Sequence, residues 1–367
     1  MTISKVIMII MSVFFVLGAL DRLFGNRFGL GAEFEKAFGL MGPTALSVLG
    51  LLMLAPVLSK ALSYVVAPVF GLIGADTGMF PGMLMSSEIS YPLAAEMAQD
   101  ARIALFGGII VGSAMGAPIS FSIPLACSLI RREDYRYLAA GILSGYILDP
   151  VACLVGGLIM GLPFVVIIIN LIPVIVIAAI LVCGLLFAPE GTIKVFQWFS
   201  KLLMAVITVG LAAGAVEAMT GFVIIPGMNP ASDGFKTVGT IILSIGGSLP
   251  LLYVLRRVLD KPLGRLAKAI GVNEITTLSA VIGLTSIVPG YSSYKDMNGR
   301  GKVLFSALTA SGIPMLGCHL GFTASVDTDM ILPMLITRVI AGCFAVFSAM
   351  VFSKRLLTPE ELNAVSA

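Results

Sequence analysis

The chain predicts an all-α integral membrane protein: an inverted-topology repeat of transmembrane helices with two re-entrant half-helix pairs and one unpaired linking helix. Three observations carry this. The 367 residues are 58% hydrophobic and 12% charged, with a mean hydropathy of +1.05, whereas a soluble domain carries about 25% charged residues. Apolar runs of roughly 20 residues, long enough to cross a hydrocarbon core of about 30 Å, recur along the whole length. The second half of the chain also repeats the first. Shifted by 196, residues 3–25 fall on 199–221 with seven of 23 positions identical, Gly18/Gly214 and Gly25/Gly221 among them. Shifted by 197, residues 38–76 match at 12 of 39 positions, including Gly50/Gly247 and Gly74/Gly271. Pro92/Pro289 keep that shift, and Arg102/Arg300 and Ser113/Ser311 need one residue more.

The elements follow in order. Segment 5–20 has the length of a signal peptide, but it matches the internal segment 199–221 and reads as a retained span. Full spans are predicted at 41–58, 103–130, 137–160, 163–188, 198–220, 237–255, 302–325 and 331–352. Stretches 76–98 and 273–297 hold too many charges and helix breakers to be ordinary spans, and they occupy equivalent places in the repeat. We read both as pairs of half-helices that enter and leave on one side. Loops 21–38, 131–136, 189–197, 256–270 and the tail then fall on the basic, cytoplasmic side. Loops 59–75, 161–162, 221–236 and 326–330 fall outside. This puts the N-terminus outside and the C-terminus in the cytoplasm. Loop 256–270 carries five basic residues and its counterpart 59–73 one. Matching sequence with opposite charge bias is what inversion requires. The same loop 256–270 is predicted to lie as an amphipathic segment on the inner lipid surface. The organisation is a first repeat over 1–162, a linking helix and loop over 163–197, a second repeat over 198–356 and a short cytoplasmic tail over 357–367.

Inverted repeats in a polytopic chain point to a transporter whose substrate site lies where the repeats meet. Irregular backbone at membrane depth survives only when buried in protein or lining a cavity, so the breaks in the half-helix pairs are the first candidates. The first break, 85–92, offers Ser86, Ser87, Glu88 and Tyr91; the second, 288–294, offers Tyr291 and Ser292 without an acid. Hydroxyls and a carboxylate suit a small cation or a transported proton, and aromatic faces suit an ammonium group. Asp149 precedes Pro150 in the middle of a span, where the proline frees a carbonyl and bends the helix. His319, the single histidine, can exchange a proton near neutral pH. Arg338 is expected to snorkel toward Asp327 and Asp329, and Asn170 to join helices. Glycines 107, 108, 112 and 116 are expected to permit close packing.

Other functions are disfavoured. The net charge of +3 gives no nucleic-acid signal. The five cysteines are odd in number, lack metal-ligand spacing and read as buried, unpaired thiols. No cofactor or metal is implied. No nucleophile–base spacing and no paired-aspartate motif for diphosphate marks an enzyme.

Several ordered motifs are similar to a known family. Phe121-Ser122-Ile123-Pro124, Arg136-Tyr137-Leu138-Ala139, Asn170-Leu171-Ile172-Pro173-Val174 and His319-Leu320-Gly321-Phe322 resemble the ethanolamine-utilisation transporter family (EutH type). So do Asp21-Arg22, Leu54-Ala55-Pro56-Val57-Leu58, Ile225-Pro226-Gly227 and Asp296-Met297 followed by Arg300-Gly301-Lys302-Val303. The resemblance spans about residues 5–352 and implies a bacterial inner-membrane permease for ethanolamine, feeding an ammonia-lyase pathway. One departure falls in the first break: the family's Cys-Asp-Met-Gly-Gly type segment is here Ser86-Ser87-Glu88-Ile89-Ser90. Another is Cys318, where members often carry an acid before the histidine. A related amine or amino alcohol stays open as cargo.

The expected activity is therefore carriage of a small amine, most readily ethanolamine, by alternating access or facilitated diffusion. The partners are that amine and the lipid bilayer, with room for proton or sodium coupling and for a homo-oligomer. The alternative is an ion-translocating subunit of a membrane complex.

Overall fold

A computed structural model describes residues 3–363, leaving aside the side chains of 259–269, 354–356, 359 and 363. All regular structure among them is helical, and seven helices are long and apolar enough to cross a membrane. The chain is an all-α membrane protein. α1 (Ile3–Leu23) is closed by Asp21, whose carboxylate accepts from the backbone N–H groups of Phe28 and Gly31 at 3.0 and 2.9 Å. This turn leads into the short α2 (Leu30–Gly39) and then α3 (Met41–Ile73). α3 runs straight through the segment expected to be an outer loop. Its 33 residues reach about 50 Å, so the extra turns carrying Lys60 extend past the hydrocarbon.

Next come two short helices, α4 (Met79–Leu84) and α5 (Ser87–Met97), broken at Met85 and Ser86, whose backbones are extended. Their ends are clasped together. Asp76 accepts from the N–H groups of Gln99 and Asp100 at 2.9 and 3.1 Å, and the Thr77 hydroxyl donates to the Met97 carbonyl at 2.5 Å. The pair is thus a hairpin that starts and finishes at one place.

The following span starts as α6 (Ala101–Leu105), widens into π-helix over Phe106–Gly116 and Pro118–Ser122, and ends as α7 (Ile123–Leu129). The widened stretch supports the first hairpin through glycines. Gly107 faces Gly78 and Met79, Gly108 faces Tyr91, Gly112 faces Ser90, and a Cβ on Gly116 would collide with the Met85 carbonyl. The predicted close packing is therefore packing against the hairpin.

α8 (Tyr135–Tyr146) and α9 (Asp149–Ile159) form one span broken ahead of Asp149-Pro150. α10 (Phe164–Phe187) occupies the position expected of the linking helix. Its Asn170 bonds helix to loop, accepting from the Asp76 N–H at 2.8 Å. α11 (Pro189–Thr220) and α12 (Ala231–Ile270) follow. α12 is a continuous helix, so segment 256–270 is not a loop. Whether it presents an amphipathic face turns on side chains outside the described residues.

A second hairpin comprises α13 (Glu274–Gly283) and α14 (Val288–Ser292). Its ends are clasped by asparagines: Asn273 donates to the Asp296 carbonyl at 2.7 Å and Asn298 to that of Gly271 at 3.0 Å. Its break falls at 284–287, earlier than expected, because Val288-Pro289 starts a helix, with proline in the first turn where its missing N–H costs nothing. α15 (Gly299–Ser311) and α16 (Cys318–Val326) are separate helices, so the expected span 302–325 is interrupted over 312–317. α17 (Ile331–Leu356) and the short α18 (Pro359–Asn363) complete the chain, with 364–367 of the expected tail outside the described residues.

The hairpins start from opposite ends of the α8–α9 span. Arg102, at the base of the first, donates to the Met160 and Gly161 carbonyls just past α9. Tyr137, at the start of α8, lies against Gly299 beside the base of the second. Packing is reciprocal: α1 lies on α12 and α11 on α3, while α8 lies on α15 and α17 on the π-helical stretch. Ile9, Val13 and Val16 of α1 and Ile175, Val176 and Ile180 of α10 are exposed, an apolar surface suited to acyl chains. The five thiols are unpaired. Cys153 is buried, but Cys183 and Cys343 point outward from the bundle rather than into it.

Candidate functional site

The tip of the first hairpin and the break before α16 meet inside the bundle. α5 is 11 residues and α16 nine, so each reaches about 14–17 Å, roughly half a hydrocarbon core. Their N-termini come together inside the bundle. Ser87 and Glu88 sit in the first turn of α5, and His319 in the first turn of α16. Ser87 Oγ lies 2.8 Å from His319 Nδ1, in hydrogen-bond alignment. Glu88 Oε1 approaches the same nitrogen at 2.9 Å, an ion-pair distance off the hydrogen-bond line. All three residues are less than a tenth exposed. Backbone N–H groups at the two helix starts favour the carboxylate.

Two other predicted residues flank this cluster. The Ser86 backbone N–H donates to Ser120 Oγ at 3.0 Å, pinning the hairpin tip to the π-helical stretch. Tyr91, one turn along α5, packs edge-on against Phe322 of α16, with ring centroids 6.2 Å apart. The second hairpin reaches the same break from another side: the Leu316 N–H donates to the Leu284 carbonyl at 2.7 Å, and Gly317 lies against Thr285. Both hairpin tips thus converge on 312–319.

The remaining predicted residues lie elsewhere. Tyr291 is buried in a separate polar group, bonded to the Thr309 hydroxyl at 2.5 Å and packed on Tyr294 and Phe305. Ser292 is exposed, and its hydroxyl bonds to Val288 in its own helix. Asp149 is fully buried at the break between α8 and α9, and its neighbours are Ser311 and Arg338. Arg338 does not snorkel outward. It is 1% exposed, its Nη1 donates to the Ser113 carbonyl and its Nη2 lies 3.5 Å from the Pro314 carbonyl. A guanidinium flanked by two broken segments finds carbonyls inside the bundle that their missing helical bonds have released.

Sequence reasoning missed Thr285 at the second tip, along with Arg338 and Ser311. The repeat held the signal for the first: the shift of 197 that aligns Gly50 with Gly247 carries Glu88 onto Thr285, not onto Tyr291.

Comparison with known proteins agrees with this architecture. The chain is 42% identical over 368 residues to "Probable ethanolamine permease EutH" of Listeria monocytogenes, covering 100% of this chain and 99% of that one. It is 37% identical to the protein of the same name from Salmonella typhimurium, covering 95% of each. It is 39% identical to "Uncharacterized protein YxeR" of Bacillus subtilis, again covering 95% of each. No solved structure matches. The family described as "Ethanolamine utilisation protein, EutH" matches residues 3–352, and with near full-length relatives on either side of it the chain belongs to that family.

Proposed function

We propose that this protein is a permease of the bacterial inner membrane that carries ethanolamine, binding its ammonium group at Glu88 and Ser87. One observation carries the reading: a buried carboxylate and hydroxyl, held at the meeting of two helix starts, share the nitrogen of the single histidine. His319 Nδ1 stands where an ammonium nitrogen would stand. An incoming ammonium replaces it, donating to Glu88 and Ser87, while the imidazole gives up its contact. The Tyr91 and Phe322 rings wall this position and favour a cation. The family relation supports the cargo, since relatives carry ethanolamine permease in their names.

Access follows from the repeats. We read 1–162 and 198–356 as inverted halves, linked through 163–197. The clasped hairpins at opposite ends of the α8–α9 span and the reciprocal packing of α1 on α12 and α11 on α3 support this. Rocking of one half against the other would open the occluded site to each side in turn. The basic residues Arg131, Arg132 and Arg136 at the start of α8 support reading that end of the bundle as the cytoplasmic one.

Proteoliposome uptake tests the reading. Labelled ethanolamine uptake should saturate with the wild-type protein and fall to the protein-free level with Glu88→Gln. Choline, whose quaternary nitrogen has no N–H to donate, should compete poorly. Wild-type uptake by Glu88→Gln, or equal competition by choline, would remove Glu88 from the site.

A further inference from the structure

We propose that Asp149 is a second intramembrane site, the proton carrier of this transporter, and that Arg338 is the partner it takes up when it ionises. The inference rests on the permease reading but on different residues. Asp149 is 0% exposed, and neither carboxylate oxygen has a hydrogen-bond partner among the described residues. The Ser311 hydroxyl lies within hydrogen-bonding reach of it and the Arg338 guanidinium within electrostatic range, but no aligned hydrogen bond is formed with either. A carboxylate this deep and this poorly matched is costly as an anion, so the resting group is taken as the neutral acid.

Arg338 is occupied in this state. Its Nη1 holds the Ser113 carbonyl on the π-helical stretch, and its Nη2 points to the Pro314 carbonyl in the break that leads to His319. Its Nε is buried without a partner among the described residues, leaving a donor for a carboxylate. Arg338 also lies within electrostatic range of Glu88 as well as Asp149. One cation therefore acts on two acids and reaches the backbone of the segment that carries the substrate-site histidine. The repeat places its landmarks here too, since Ser113 and Ser311 are repeat counterparts.

The other titratable groups around Asp149 do not compete for this role. On its own broken span, Tyr146 donates its hydroxyl to the Met115 carbonyl at 2.8 Å, and Cys153 is a buried thiol. Among the described residues, α17 turns Arg338 toward it and α15 the Ser311 hydroxyl. The π-helical stretch contains no titratable residue, and the one on α10, Cys183, faces outward.

The step is a proton transfer. The Asp149 O–H bond breaks, and the proton passes to water on the side to which the break is open. The carboxylate left behind then draws the guanidinium from Ser113 and Pro314. The loaded carrier crosses with the acid neutral; release of the Pro314 carbonyl frees the 312–317 break, and with it His319, for the return of the empty carrier. Reprotonation from the other side restores the grip. Proton movement and substrate-site movement are thus tied through one arginine.

Two transport modes test this. Counterflow exchanges labelled for unlabelled ethanolamine at equal pH and needs no net proton movement. Uptake driven by a pH gradient, read above protein-free vesicles, needs it. Wild type should show both. Asp149→Asn, which mimics the neutral acid, should keep counterflow and lose gradient-driven uptake, and Asp149→Glu should regain part of it. Gradient-driven uptake by Asp149→Asn at the wild-type level overturns the proposal. So does loss of its counterflow, or a wild type that exchanges without responding to the gradient. A wild type without counterflow would instead overturn the permease reading itself.

Discussion

Glu88 Oε1 stands 2.9 Å from His319 Nδ1, a contact between a hairpin tip in the first half of the chain and a helix break in the second. Removing one member of a buried pair leaves the other desolvated and unmatched, at a cost of about 3–5 kcal/mol. His319→Ala should therefore lower the melting temperature in detergent as well as abolish uptake. His319→Gln keeps an N–H for the carboxylate and should recover most of the stability while transport stays impaired. Equal melting temperatures for the two variants would show that the contact does not hold the hairpin tip.

The glycine stripe under the first hairpin makes a second prediction. A methyl group on Gly116 would meet the Met85 carbonyl, a backbone atom in the break itself. Gly116→Ala should displace the tip, costing about 1–3 kcal/mol by overpacking and reducing transport with it. A methyl group on Gly39, at the end of α2, would have nothing within 4 Å, so Gly39→Ala should leave both unchanged. Thermal unfolding of the pair in one detergent separates a local collision from a general intolerance to alanine.

Much of this architecture is legible in the sequence because it rests on composition and pattern. The spans follow from apolar length, and the two hairpins from charges and breakers that a full crossing would not tolerate. Ser87, Glu88 and His319 stand out from the breaks and from residue type alone, and they meet in space. What is not legible depends on tertiary packing. Tyr291 carries the chemistry expected of a site residue, yet its hydroxyl is taken by Thr309, a contact no local pattern encodes. Acids nearby in sequence point Arg338 outward; the carbonyls that hold it belong to segments far along the chain. The continuation of α3 and α12 is hidden because charge marks where a helix leaves the hydrocarbon, not where it stops.

Outside the membrane, α18 should be docked in a pH-dependent way. The Thr358 N–H foremost, against an opposing effect of burial, and then the Thr358 hydroxyl and Arg136 hold the Glu361 carboxyl below its ordinary range. Thr358 N and Oγ1 lie 2.8 and 3.1 Å from Glu361 Oε2, and Arg136 bonds Oε1. With the folded value depressed, the stabilisation is fully present above the unfolded carboxylate range and is lost as pH falls through the folded value. Hydrogen-exchange protection over 357–362, taken relative to the intrinsic rate at each pH, should therefore be lost on acidification before that of the spans, and Glu361→Gln should remove that step. Protection that does not change with pH would mean that α18 is held by Leu357 and Leu362 alone.

At the base of the second hairpin, Lys302 Nζ bonds Asp134 Oδ1 at 2.6 Å, with both side chains almost fully buried. The ammonium also lies over the Tyr137 and Tyr294 rings, 5.2 and 5.8 Å from their centroids. This joins the start of α8 to α15 beside the hairpin. Lys302→Met takes the ammonium from the buried Asp134 carboxylate and Asp134→Leu takes the carboxylate from the ammonium, so each alone should lower stability. Together they remove both charges and replace the pair with apolar bulk of similar volume, so the double variant should be more stable than either single one. If the pair serves only stability, the double variant transports normally. If it closes this end of the bundle, the double variant keeps its melting temperature but changes the rate of counterflow, which separates a strut from a gate.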